Sequence, residues 1–165
     1  MNENSSKKMA YCGVFVALSM ILSYFENLVV IFNFIPGFKV GIANIVTVIA
    51  LFNLGIKDTF IISTSRIILS GILFGSVPMI IYSIVGAYCS ILVMYVIKKI
   101  NCFSITGVSI LGAVSHNAGQ LVVAYFMLEN VNIFSYFGVL ALVGALAGTL
   151  IGILCGYINK NIDFK

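Results

Sequence analysis

MIIYSIVGAYCSILVMYVI, residues 79–97, carries no charged side chain and is bounded by Pro78 on one side and Lys98-Lys99 on the other. A helix of about 20 apolar residues crosses a hydrocarbon core of roughly 30 Å, so this stretch reads as a transmembrane helix. The same grammar extends along the chain in both directions. Downstream, apolar runs occupy residues 105–128 and 133–158. Upstream they occupy 59–74, 41–56 and 9–34, separated by Lys57-Asp58, by Gly75-Ser76-Val77-Pro78 and by Pro36-Gly37. The first run is too long for the apolar core of a signal peptide and lacks a small-x-small cleavage site, so it is expected to be a retained helix.

The composition agrees. At 61% hydrophobic, 8% charged and a mean hydropathy of +1.15, the 165 residues have too little polar surface to coat a water-soluble globule. The expected fold is all-α and integral to the membrane, six transmembrane helices in a single domain over residues 1–165. Basic residues fix its orientation. Lys7, Lys8, Lys57, Lys98, Lys99, Lys160 and Lys165 fall on one side of a six-helix arrangement and only Lys39 on the other. By the positive-inside bias both termini are cytoplasmic and the protein is a multi-pass component of the cell membrane. The formal charge of +4 is spread in ones and twos, which argues against nucleic acid as a partner; membrane lipid is the expected surrounding.

Polar residues inside the apolar runs are the candidates for function. Arg66 lies nine residues past Lys57, about 14 Å into the membrane. At that depth its charge must face the bundle interior or a wet cavity. Ser63 and Ser70 share its helix face. Two readings apply: a structural ion pair or carbonyl clamp, and a contact for an anionic or polar ligand. In the fifth run Ser109, Gly112, His116 and Gln120 recur at three- and four-residue spacing, with Asn117 about 100° around the helix. Ser115 to Gln120 packs four polar groups into six residues, more than one helix-to-helix hydrogen bond requires. Glu26, near the far end of the first run, has Lys39 and Arg66 as alternative partners.

Small residues mark packing faces. Gly144, Gly148, Gly152 and Gly156 repeat every four residues in the sixth run, a row that lets another helix approach closely. A shorter row, Ala10, Gly13 and Ala17, lies near the cytoplasmic end of the first; internal packing and docking of a partner are both open for it. Cys12, Cys89, Cys102 and Cys155 form no C-x-x-C, so free thiols are expected and no metal or cofactor. The chain contains no G-x-x-x-x-G-K-[ST] phosphate loop, and its only aspartates, Asp58 and Asp163, are far apart. Clustered carboxylates that would hold Mg²⁺ on a diphosphate are missing, and neither aspartate reaches the depth of His116 to build a Ser-His-Asp arrangement. Catalysis is not expected.

One string, Pro36-Gly37-Phe38-Lys39-Val40-Gly41-Ile42-Ala43-Asn44, leads into the second run. Together with Arg66 followed by Leu69-Ser70-Gly71 and Phe74-Gly75, and with Gly112-Ala113-x-x-His116-Asn117-x-x-Gln120, it resembles the small membrane proteins called the Gx transporter family or heptaprenyl diphosphate synthase component I. The likeness covers essentially the whole chain. That family resembles the substrate-binding S components of energy-coupling factor (ECF) transporters, six-helix bundles that capture a vitamin-like ligand near the outer face. A separate membrane coupling protein and two ATPases drive them. The resemblance implies Lys39, Asn44, Arg66, His116, Asn117 and Gln120 as ligand-binding residues for a small anionic or amphipathic molecule. It implies Ala10, Gly13 and Ala17 as the docking face, with Gly-x-x-x-Ala where those proteins usually carry Ala-x-x-x-Ala. The alternative expectation is a non-catalytic membrane subunit of a prenyl diphosphate synthesis or flavin- and quinone-linked electron-transfer system. A channel would need rings of charge or a filter-like repeat that the chain lacks.

Overall fold

The computed structural model describes residues 3–28 and 41–161. Among them every long element is an α-helix: α1 (Glu3–Leu28), α2 (Asn44–Asn53), α3 (Ile56–Phe74), α4 (Val77–Ile100), α5 (Ile105–Leu128) and α6 (Phe137–Asn161), with a 3₁₀ segment at Val131–Tyr136 leading into α6. Local chemistry sets the ends. Ser104 caps α5 by accepting from the Gly107 amide at 3.2 Å, and Ser76 in extended conformation precedes α4, whose first turn holds Pro78. Asn101 and Glu129 end α4 and α5 in the left-handed region, with φ of 60° and 49°. Gly55, at φ 94°, makes the tight turn from α2 to α3 that a side chain would strain.

Four segments are long and apolar enough to cross a membrane: Ser6–Glu26, Val77–Ile100, Ile105–Leu128 and Val131–Asn161. They mark a membrane protein. Helix α3 has 19 residues but carries Lys57, Asp58 and Arg66. The second run corrects the expectation of a crossing over 41–56. Helix α2 has only 10 residues, about 15 Å of rise, half of what a hydrocarbon core requires. Its residues Val46, Thr47, Val48, Ile49, Ala50 and Leu51 are all buried, and it touches α1, α3, α4 and α6. A short helix enclosed on all sides belongs to the interior of a bundle.

One end of the bundle is basic and tightly tied. Lys8 pairs with Asp58 at 2.8 Å, joining the first turns of α1 and α3. The Lys98 ammonium donates to the Leu51 and Phe52 carbonyls at 2.9 and 3.5 Å and lies 4.8 Å from the Phe52 ring centre, capping the C-terminus of α2 with a cation. Asn53 donates to Asn159 at 2.9 Å. The start of α1 and the end of α6 therefore lie at the same end of the molecule. The apolar core fills this half: Phe15, Leu51, Ile62, Ile91, Met94 and Cys155 are buried together.

Helices α5 and α6 meet along the glycine row. A β-carbon at Gly148 would stand 2.8 Å from the Ile110 α-carbon, and one at Gly152 would stand 2.5 Å from that of Thr106. At Gly144 it would meet the Asn117 amide nitrogen at 2.7 Å. Gly156 continues the spacing but not the packing, since nothing lies within 4 Å of where its β-carbon would be. The row has outrun its partner: Thr106, which packs on Gly152, is already the second residue of α5.

Candidate functional site

Opposite the basic end, the apolar core gives way to a polar cavity. Helix α1 delivers to it a stripe of its own, Ser19, Ser23 and Glu26, spaced by four and three residues so that all three share one face. Ser19 returns its hydroxyl proton to the Val16 carbonyl at 2.8 Å and stays structural. Ser23 and Glu26 line the cavity. Glu26 accepts a hydrogen bond from the Gly41 amide, tying the end of α1 to the chain just before α2. The segment between them, with Lys39, lies outside the described residues, as does the part of the first run expected beyond residue 28.

Helix α3 supplies Arg66, 9% exposed. Its Nη1 donates to the Ser23 hydroxyl at 3.3 Å, whereas its Nε has no hydrogen-bond partner among the described residues. Glu26 is near enough to act on Arg66 electrostatically, yet among the described residues no carboxylate comes within 4.0 Å of the guanidinium. Ser70, one turn on, also lines the cavity; Ser63 instead meets Thr47 at 3.4 Å, deeper in the core.

Helix α5 forms the facing wall with Ala113, His116, Asn117 and Gln120. His116 packs on Gly86 of α4, where a β-carbon would come within 3.0 Å of its Nε2. Its buried Nδ1 has no partner among the described residues. Asn117 donates to the Leu140 carbonyl at 2.8 Å and so also ties α5 to α6. Ser115, counted above in the polar cluster, turns away and donates to the carbonyls of Leu111 and Gly112. Gly144 and Ala147 of α6 keep the last wall low, and Gly41 and Asn44 bring the start of α2 to the cavity.

Asn44, Arg66, His116, Asn117 and Gln120 thus surround one space, joined by Ser23, Glu26 and Ser83, none of which the sequence singles out as cavity-lining. The Ser19-Ser23-Glu26 spacing was the available signal. The cavity measures about 60 Å³, room for a few waters or one compact polar group. An unsatisfied buried donor or acceptor costs about 1–3 kcal/mol, and a buried unpaired charge more. Arg66 and His116 both line the cavity, and each has one such buried atom without a partner among the described residues; a guanidinium in that lining can donate to an anionic group and an imidazole can orient it. Ala10, Gly13 and Ala17 lie elsewhere, exposed on α1 near the basic end, with nothing within 4 Å of a β-carbon placed at Gly13. The four cysteines are free thiols.

A family model described as heptaprenyl diphosphate synthase component I matches residues 15–158. No curated protein and no solved structure matches the chain.

Proposed function

The chain belongs to the heptaprenyl diphosphate synthase component I family, and from that membership and the central cavity we propose that it is the membrane-embedded binding subunit of an ECF-type transporter. Its ligand is a small molecule with an anionic head. The observation that carries this reading is Arg66, which lines the cavity with its buried Nε unpartnered among the described residues, together with His116, whose buried Nδ1 likewise has no partner among them. A purely structural arginine at this depth would be expected to use its donors on carbonyls or a carboxylate. Here Ser23 takes one of them, and Nε has no partner among the described residues. Arg66 neutralises the head, His116, Asn117 and Gln120 orient it, and Lys39 attracts it from outside. Energy comes from a separate coupling protein and two ATPases, which dock on the exposed Ala10, Gly13 and Ala17 face of α1 in the cell membrane, the basic end being cytoplasmic.

Arg66→Ala is expected to abolish retention of the small molecule that co-purifies with the wild type, while eluting as a folded protein in mild detergent. Mass spectrometry of the extract reads both this and the co-purifying proteins. Wild-type retention by the variant would reject the assignment. The family's description supports a second reading, a non-catalytic membrane subunit beside a prenyl diphosphate synthase. On that reading Arg66→Ala lowers stability or assembly, with no small molecule to lose.

A further inference from the structure

Beside the central cavity lies a second, smaller one of about 20 Å³, between the last turns of α3 and the first turns of α4. It is lined by Gly71, Gly75, Met79 and Ile80, and it shares Ile67, Ser70 and Ser83 with the central cavity, so those three residues stand between the two. Its character changes along its length. At the inner junction it is lined by Ser70, whose hydroxyl donates to the Ile67 carbonyl at 3.4 Å, and by Ser83; at the outer end the lining is glycine, isoleucine and methionine. The neighbouring side chains Ile72, Leu73, Phe74, Val77 and Ile81 are exposed and apolar, as expected of a surface in contact with lipid chains.

The contact between the helices here is made by one side chain against a glycine. Gly71 has no side chain, and the Ile80 side chain occupies its place, Cγ1 standing 2.2 Å from where a β-carbon would be. The wall between the central cavity and the lipid is thus made by Ile80 and the unbranched, adaptable Met79. The central cavity, meanwhile, holds a head group and no more.

Resting on the head-group reading above, we infer that the ligand is a single-chain anionic amphiphile, whose phosphate or carboxylate sits on Arg66 and whose apolar tail leaves sideways into the lipid between α3 and α4, over Gly71 and Gly75. Lateral exit lets the tail stay in hydrocarbon while only the head is transferred to the protein, so the substrate is drawn from the membrane. A space of about 20 Å³ between the helices favours one chain over the two of a phospholipid.

The test uses the full-length protein in phosphatidylcholine nanodiscs and dodecyl phosphate carrying a diazirine at the end of its chain. After photolysis the labelled peptides are mapped by mass spectrometry, with and without excess inorganic phosphate, in the wild type and in Arg66→Gln. The expected result is label within residues 71–80 that falls about tenfold both with phosphate and in the variant. The phosphate competition stands on the wild type alone, should Arg66→Gln fold poorly. Phosphate-sensitive label that maps elsewhere overturns the tail path and leaves the anion site standing. Label insensitive to phosphate and to Arg66 overturns both. Competition by phosphatidic acid as strong as that by unlabelled dodecyl phosphate overturns the single-chain assignment.

Discussion

Arg66 and His116 stand out in the sequence because an ionisable group in an apolar run has no inexpensive place in lipid. Ser23 does not stand out, because a serine in a membrane helix usually bonds its own backbone, as Ser19 and Ser115 do here. Only the approach of α3 to α1 turns Ser23 into the acceptor for Arg66 Nη1 at 3.3 Å. Ser23→Ala should therefore lower unfolding free energy in detergent by about 0.5–1.5 kcal/mol, the scale of polar contacts between membrane helices. It should leave ligand retention largely intact, in contrast to Arg66→Ala. Complete loss of retention in Ser23→Ala with unchanged stability would place the hydroxyl on the ligand rather than on the arginine. Asn117 combines the two roles, lining the cavity while its amide holds the Leu140 carbonyl, so its substitution mixes packing with binding.

Helices α2 and α6 show what periodicity can and cannot decide. Both are apolar, and both read as crossings. Helix α2 is half the needed length, and its placement rests on neighbours that the local pattern does not name, above all Lys98, which caps its carbonyls from the far end of α4. In α6 the four-residue glycine spacing is plain in sequence, but which glycines matter depends on where α5 begins. Gly152→Val should destabilise by about 1–3 kcal/mol through forced contact with Thr106, whereas Gly156→Val should stay within about 0.5 kcal/mol of wild type. Thermal or denaturant unfolding in detergent reads both. A large effect at Gly156 would mean that a partner outside this chain packs there.

At the scale of the molecule, the bundle is divided along its length into an apolar half at the basic end and a polar cavity beyond it. Lys98 and Lys99 end α4 on the basic side, and the α3–α4 turn at Ser76 lies on the other. With Cys102 as the sole cysteine, a membrane-impermeant maleimide should label it only after cells are permeabilised; it is exposed in the α4–α5 turn. A cysteine at Ser76→Cys in a cysteine-free background should be labelled in intact cells. Labelling of both from one side would contradict an α4 that crosses the membrane.

By itself the sequence determined that the chain is apolar and all-helical and has long runs able to cross a membrane, because hydropathy and chain breaks are local properties that the bilayer reads residue by residue. It also marked Arg66, His116, Asn117 and Gln120 as out of place in hydrocarbon. The tertiary structure alone decided that they meet, that Glu26 is tied to the Gly41 amide rather than ion-paired with Arg66, that α2 is an enclosed half-length helix, and that a second, smaller cavity lies between α3 and α4. Those are relations between helices distant in sequence, set by which faces pack and how closely glycines let them approach, and no local pattern encodes them.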